Sequence, residues 1–244
     1  MKNIRHIKLS HIQIIALGFA IVVLIGTCLL MLPISTKTGE SSSFLNALFT
    51  ATSASCVTGL VVKDTSIYWS NFGQAVILSL IQIGGLGFMT IATMFFLILR
   101  RKMNLKEREV LTESINYTSV GEVLKLTKKI IYGTIIMEII GALLLMIRFV
   151  PQFGLYGIWM SIFHSISAFC NAGFDLLGQF YGEYSSFVYY YNDWFVCLII
   201  MLLIVIGGIG FIVWDDIITY KFKIKKYHLH TDCSARTFPA GSIK

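Results

Sequence analysis

Four stretches of this chain, 12–32, 75–99, 130–150 and 194–214, stay predominantly apolar throughout. About 20 such residues in a helix cross the roughly 30 Å of hydrocarbon in a bilayer. Two further apolar stretches, 44–54 and 156–169, are too short to cross and read as re-entrant or interfacial segments. Hydrophobic residues make up 56% of the chain and charged residues 14%, where a soluble domain carries about a quarter charged. The first stretch reads as a membrane helix and not a cleaved signal. It exceeds the usual apolar core of a signal, and Met31-Leu32-Pro33-Ile34 offers no small-residue cleavage site.

The formal charge of +7 is distributed by topology. Lys2, Arg5 and Lys8 precede the first span. Arg100, Arg101, Lys102, Lys106, Arg108, Lys125, Lys128 and Lys129 fill the connection between spans two and three, and Lys221, Lys223, Lys225 and Lys226 follow span four. The other two connections hold only Lys37 and Lys63, with Arg148 near a boundary. Basic and non-basic connections alternate, which places both termini and the middle connection in the cytoplasm of a multi-pass plasma-membrane protein. The charge therefore gives no reason to expect a nucleic-acid partner. Cys28, Cys56, Cys170, Cys197 and Cys233 form no CxxC pair and read as free thiols. His228, His230 and Cys233 lack a fourth ligand, so neither a metal site nor a bound cofactor is expected.

The chain repeats itself. FTATSASCVTG at 49–59 aligns with FHSISAFCNAG at 163–173 at a constant offset of 114, and IGGLGF at 83–88 aligns with IGGIGF at 206–211 at an offset of 123. The extra nine residues fall in the outer connection, where insertions are tolerated. An even number of crossings separates the copies, so the repeats are parallel. The expected fold is all-α and integral to the membrane: two tandem parallel helix–pore loop–helix repeats, with four membrane crossings and two re-entrant pore helices. The first repeat covers 12–99 and the second 130–219. They are preceded by a cytoplasmic segment at 1–11, joined by the basic connection at 100–129 and followed by a tail at 220–244.

A non-helical turn at membrane depth must be surrounded by protein or line water, because each unpaired amide or carbonyl costs several kcal/mol in hydrocarbon. Lining an ion path is one reason to hold free carbonyls there, since carbonyls can replace the hydration shell of a weakly hydrated cation such as potassium. Aiming them at one axis demands φ > 0 at some positions, which glycine adopts freely. Gly59 and Gly173 stand where that demand arises. The preceding segments have the length of pore helices, their C-terminal ends favour a cation, and Ser41, Ser42 and Ser43 offer N-caps to the first. The glycine clusters Gly84, Gly85, Gly87 and Gly207, Gly208, Gly210 lie in the second helix of each repeat. They suit close helix packing or a bend near the pore. They do not make a dinucleotide fingerprint, which requires GxGxxG after a strand.

With these blocks in hand, the chain resembles the membrane subunit of the Trk/Ktr/HKT superfamily of potassium transporters, most closely the KtrB type. The resemblance rests on TATSASCVTGL at 50–60, QIGGLGF at 82–88 and SISAFCNAGF at 165–174. It implies potassium as the transported ion, with sodium as a candidate coupling ion, and a filter of pore loops with one central glycine each. It also implies a cytosolic nucleotide-binding regulator of the RCK type and a homodimer. By position the filter residues are Cys56, Val57, Thr58 and Gly59 in the first loop and Cys170, Asn171, Ala172 and Gly173 in the second. Members carry four repeats where two are found here, and the stretch from about 231 does not read as the start of a third. On this resemblance the two repeats alone are expected to form an incomplete pore.

Two other classes compete with this reading. A membrane scaffold would leave the loops as ordinary packing. An intramembrane enzyme would draw on Glu138, Arg148, His164, Asp215 and Asp216, or on His164 beside Ser53 or Ser167, but HExxH and paired membrane aspartates are absent from the sequence. Glu138, in the third span, is a functional candidate by position, open to roles as a helix–helix hydrogen-bond partner, a group near the ion path or a buried protonated acid. The charged stretch 104–118 reads as a short amphipathic helix and a docking place for a regulator, or as a solvated linker. The topology predicts that in intact cells an impermeant thiol reagent labels single cysteines placed at Lys63 and Glu183 but not at Arg101. Labelling at 101 would overturn it.

Overall fold

The computed structural model describes residues 11–87 and 120–210, with Val213. The readings for 1–10, for 88–119 and for the tail at 220–244 lie outside the described residues. The elements are α1 (His11–Leu30), α2 (Phe44–Ser55), α3 (Thr65–Tyr68), α4 (Asn71–Leu86), α5 (Val120–Phe153), α6 (Tyr156–Phe169), α7 (Gly178–Tyr181) and α8 (Trp194–Gly208). Short 3₁₀ turns lie at Pro33–Ser35 and Ser186–Tyr190. Among the described residues the extended pairing is an isolated antiparallel bridge between Thr36 and Trp69.

Local chemistry sets the helix starts. Ser43 caps α2, its Oγ accepting the Asn46 N–H, and Ser70 caps α4 through the Gly73 N–H at 3.2 Å. Asp193 caps α8 through the Val196 N–H and also pairs with Arg148 of α5 at 2.7 Å. Such caps satisfy amides that a first turn leaves orphaned. Helix α5 begins at Val120, within the stretch read as a connection, and runs through Pro151. Gly154, at φ 61°, turns the chain directly into α6.

In each repeat the short helix lies between the long ones. Helix α2 packs on α1 and α4, and α6 packs on α5 and α8, while α4 also touches α6 across the repeats. Glycine permits the close approaches. A Cβ on Gly26 of α1 would stand 2.7 Å from Leu80 Cδ1, and one on Gly141 of α5 would stand 2.8 Å from Leu203 Cδ1. Leu80 and Leu203 are separated by the same 123 positions as the glycine clusters, so the repeats match in packing as well as sequence.

Polarity is inverted relative to a soluble protein. Exposed side chains include Leu17, Ile21, Leu24 and Ile25 on α1, Ile136, Ile139, Ile140 and Leu143 on α5, and Leu198, Met201 and Leu202 on α8. Buried ones include Thr50, Ser53, Gln74, Glu138, His164, Ser165 and Ser167. Apolar faces of this extent are stable when hydrocarbon or another protein covers them. Among the described residues one helix, Thr127–Phe153, is long and apolar enough to cross a membrane, while Ile15–Leu30, Asn71–Leu86 and Trp194–Gly208 are apolar but shorter. The continuous runs read at 75–99 and 194–214 are interrupted: α4 stops before Gly87 and α8 before Gly210, whose φ values are 78° and 92°. Hydropathy does not register this change of backbone hand.

The loops that follow the two turns are strapped together at Asp64. Its Oδ1 accepts from the Ser66 N–H and Oγ and the Ile67 N–H at 2.7 to 3.0 Å, and its Oδ2 accepts the Tyr184 N–H at 2.9 Å. Ser66 Oγ in turn accepts the Gln179 N–H, the Lys37 ammonium donates to Gln179 Oε1, and Tyr184 Oη donates to the Val62 carbonyl. The first outer loop thereby holds the second. Replacing a buried, fully hydrogen-bonded carboxylate leaves several donors unmet. Asp64→Ala is expected to destabilise the protein by about 2–4 kcal/mol, read as a lowered melting temperature in detergent. Asp64→Asn should cost less, and Glu40→Ala, on an exposed side chain, should have little effect.

Candidate functional site

The C-terminal ends of the short helices α2 and α6 carry the same turn. After α2, the Val57 N–H donates to the Ala54 carbonyl at 3.2 Å and the Thr58 N–H to the Ser53 carbonyl at 2.9 Å. After α6, the Asn171 N–H donates to Ala168 at 3.0 Å and the Ala172 N–H to Ser167 at 2.7 Å. This pair of bonds is a Schellman cap, which requires a left-handed residue at its centre. Val57 and Asn171 supply it at φ 56° and 59°. Asparagine tolerates that region, whereas a β-branched valine is strained there. Two residues on, the backbone is left-handed again at Gly59, φ 76°, and Gly173, φ 72°.

The caps use the carbonyls of Ser53, Ala54, Ser167 and Ala168, so the stretch of open carbonyls begins later than residue 53. Among the described residues no hydrogen bond ends on the carbonyls of 56–59 or 170–173. The two turns abut, since a Cβ on Gly59 would lie 2.6 Å from the Ala172 carbonyl oxygen and 3.2 Å from Gly173 Cα. The residues Cys56, Val57, Thr58 and Gly59 are therefore brought beside Cys170, Asn171, Ala172 and Gly173.

The glycine clusters divide their work. A Cβ on Gly84 would intrude on the Ser55 carbonyl, and one on Gly207 would intrude on the Phe169 carbonyl. These are matching positions of the two repeats, and the contact lets each turn rest on the backbone of its neighbouring helix. Gly85 faces Cys170 of the other repeat, where a Cβ would meet Sγ at 2.5 Å, while a Cβ on Gly208 would lie 3.7 Å from Asn171 Nδ2. Gly87 and Gly210 end their helices at positive φ.

The surrounding polar groups are committed. His164 Nε2 accepts the Leu176 N–H at 3.1 Å, which leaves Nδ1 to donate to the Met160 carbonyl at 2.8 Å. Ser167 Oγ donates to the Phe174 carbonyl at 2.6 Å. The pair weighed as nucleophile and base is thus bonded in other directions. A cavity of about 220 Å³ opens beside the second turn, lined in part by Ser167, Asn171, Gly173 and Asp175. Burial raises the Asp175 carboxyl above the usual carboxylate range, and the negative charge of Asp64 adds to this, while a hydrogen bond from the Leu177 N–H opposes it.

Residues 8–239 match the TrkH family, described as a cation transport protein. The chain belongs to the TrkH family. It is 45% identical to the potassium/sodium uptake protein NtpJ of Enterococcus hirae over 225 residues, covering 92% of this chain and 48% of that protein. It is also 45% identical to the Ktr system potassium uptake protein B of Bacillus subtilis, over 94% of this chain and 50% of the relative. The protein of that name from Vibrio alginolyticus is 36% identical, over 90% and 47%. This TrkH chain thus spans about half the length of the curated relatives it matches. The all-α integral membrane fold and the family resemblance read from the sequence both hold.

Two residues that position the turns were not singled out from the sequence. Gln74, fully buried, donates to the Trp69 carbonyl at 3.0 Å and accepts from Trp159 Nε1 of α6 at 2.8 Å. Gln82 donates to Glu138 at 2.9 Å, so Glu138 is a helix–helix hydrogen-bond partner. Gln82 lies inside the apolar run read at 75–99 and Gln74 directly before it, which is the signal the sequence offers. In this TrkH chain, Gly84→Ala and Gly207→Ala are each expected to cost about 1–3 kcal/mol through overpacking against backbone. Gly133→Ala, which meets open space, should leave the detergent melting temperature near that of the parent.

Proposed function

We propose that this chain supplies two units of a potassium uptake pore in the plasma membrane, with Cys56–Gly59 and Cys170–Gly173 as adjoining parts of the ion filter. The observation that carries this is the abutting pair of left-handed turns whose carbonyls no donor among the described residues claims. Backbone polar groups at membrane depth need a partner, and a dehydrated cation supplies one. Potassium, larger and more weakly hydrated than sodium, suits replacement of its water shell by carbonyls. The names of the Enterococcus hirae and Bacillus subtilis relatives, which cite potassium uptake, support the choice of ion. The former also cites sodium, which supports sodium as a coupling ion or second cargo.

A pore needs protein on every side of its axis, so two units work only with further units. In this reading they come from a second copy of the chain or from segments equivalent to the rest of the relatives. The basic connection faces the cytoplasm, where the family resemblance places a nucleotide-binding RCK-type regulator. Catalysis finds less support, because His164 and Ser167 are each bound to backbone groups elsewhere.

The reading is tested in cells lacking potassium uptake that carry a complete pore containing this chain. Gly59→Ser and Gly173→Ser should each lower the potassium-over-sodium preference of uptake, by about tenfold where backbone strain of a few kcal/mol is introduced. Gly59→Ser should be the more severe, because its Cβ would also displace the Ala172 carbonyl, whereas a Cβ at Gly173 meets Gly59 Cα at an ordinary 3.5 Å. Unchanged selectivity in both would overturn the assignment.

A further inference from the structure

The two turns share backbone geometry but differ in their supports. Behind the second turn, Gln82 of α4 sits between two groups of the other repeat. Its Nε2 donates to Glu138 Oε1 at 2.9 Å, and Cys170 Sγ approaches its Oε1 at 4.0 Å, the outer limit for a thiol hydrogen bond. Gly85, three residues along, leaves just enough room for the Cys170 side chain. On the other side of Glu138, its backbone carbonyl accepts Ser165 Oγ of α6 at 2.7 Å. Glu138 therefore touches both the helix that carries the second turn and the amide that reaches it. It is buried, with 8% of its surface exposed, so the carboxyl has little recourse to water and depends on Gln82 as its partner.

The first turn lacks this arrangement. The position matching Gln82 in the second repeat, 123 residues on, is Val205, and the position matching Glu138 in the first repeat, by the Gly26–Gly141 pairing, is Val23. Cys56, the counterpart of Cys170, is exposed, while Cys170 is half-buried.

We propose that Glu138 is a positioning residue for the second turn: it orients the Gln82 amide, and Gln82 in turn fixes Cys170 and the backbone that follows to Gly173. The inference builds on the reading of that turn as part of an ion path. The chemistry is directional. An amide carries a donor and an acceptor on one plane, so holding the Nε2 side on a carboxylate turns the Oε1 side toward the thiol. Loss of the carboxylate frees the amide to rotate, and the thiol loses its partner.

The repeat-related cysteines allow a test without ion flux. The full chain is prepared in membranes in two forms, one keeping Cys170 alone and one keeping Cys56 alone, with the other cysteines changed to Ser. Modification by a small water-soluble methanethiosulfonate is timed in each. Gln82→Leu and Glu138→Leu should raise the Cys170 rate about fivefold, the factor expected for one lost hydrogen bond. Glu138→Gln, whose Oε1 still accepts from Gln82, should stay within about twofold of the parent. The double variant Glu138→Leu/Gln82→Leu should react no faster than Gln82→Leu, because the carboxyl acts through the amide. The Cys56 rate should move less than about twofold throughout. An unchanged Cys170 rate in Gln82→Leu overturns the proposal, as does an additive double variant. An equal rise at Cys56 also overturns it, since that outcome signals general loosening. A chain that conducts no potassium still reports on this brace, and normal conduction with unaltered thiol rates removes the brace alone.

Discussion

The carbonyl ends of α2 and α6 rest on glycines of α4 and α8, Ser55 against Gly84 and Phe169 against Gly207. The depth, spacing and mutual contact of the turns follow from how near those backbones come. Any side chain at Gly84 or Gly207 would lift a turn off its support. Close approach through small residues is a usual means of association between membrane helices, where exclusion from water supplies little drive. Here it joins each short helix to the helix that follows it in the same repeat. The left-handed residues beyond then carry the chain away from the helix axis without using more of its carbonyls, so groups at 56–59 and 170–173 stay unclaimed by donors among the described residues.

Much of this was legible before any coordinates. The two short apolar runs, read at 44–54 and 156–169, appear as Phe44–Ser55 and Tyr156–Phe169. Ser43 acts as the cap that its position suggested. What stayed hidden was backbone hand and long-range pairing. Valine is the last residue one would place at a left-handed position, yet Val57 takes it because the two hydrogen bonds of the cap and the packing around it fix the turn. The ends of α4 and α8 were obscured because Gly87 and Gly210 sit inside unbroken apolar runs. Whether a glycine packs, bends or terminates depends on what lies opposite, and one sequence does not show that. Nothing in the sequence marks Asp64, whose partner Tyr184 lies 120 residues away.

The near-symmetry of the repeats also has limits that matter physically. Matching turns and glycine contacts show that one structural solution is used twice. The differences cluster in what stands behind each turn: polar side chains behind the second, apolar ones at the matching positions behind the first. His164, bonded at both ring nitrogens, takes the position that Thr50 holds in the first repeat. An amide, a carboxyl and an imidazole stand beneath the second turn, whereas the first is tied by Thr58 Oγ1, which donates to the Ser53 carbonyl at 3.1 Å. Two adjoining stretches of backbone with one geometry are therefore held by different side-chain contacts.

The strap at Asp64 bears on how the protein is made. Chains emerge N-terminus first, and domains generally fold in that order. When the first repeat has entered the bilayer, Oδ1 of Asp64 already has its donors in Ser66 and Ile67, but Oδ2 waits for Tyr184 on a loop not yet synthesised. Until that loop arrives, the oxygen must be met by water, so the outer surface of the first repeat stays wet and loosely set. The Tyr184 N–H takes the place of that water when its loop arrives. The last hydrogen bond of the Asp64 carboxyl thus waits on synthesis of the second repeat.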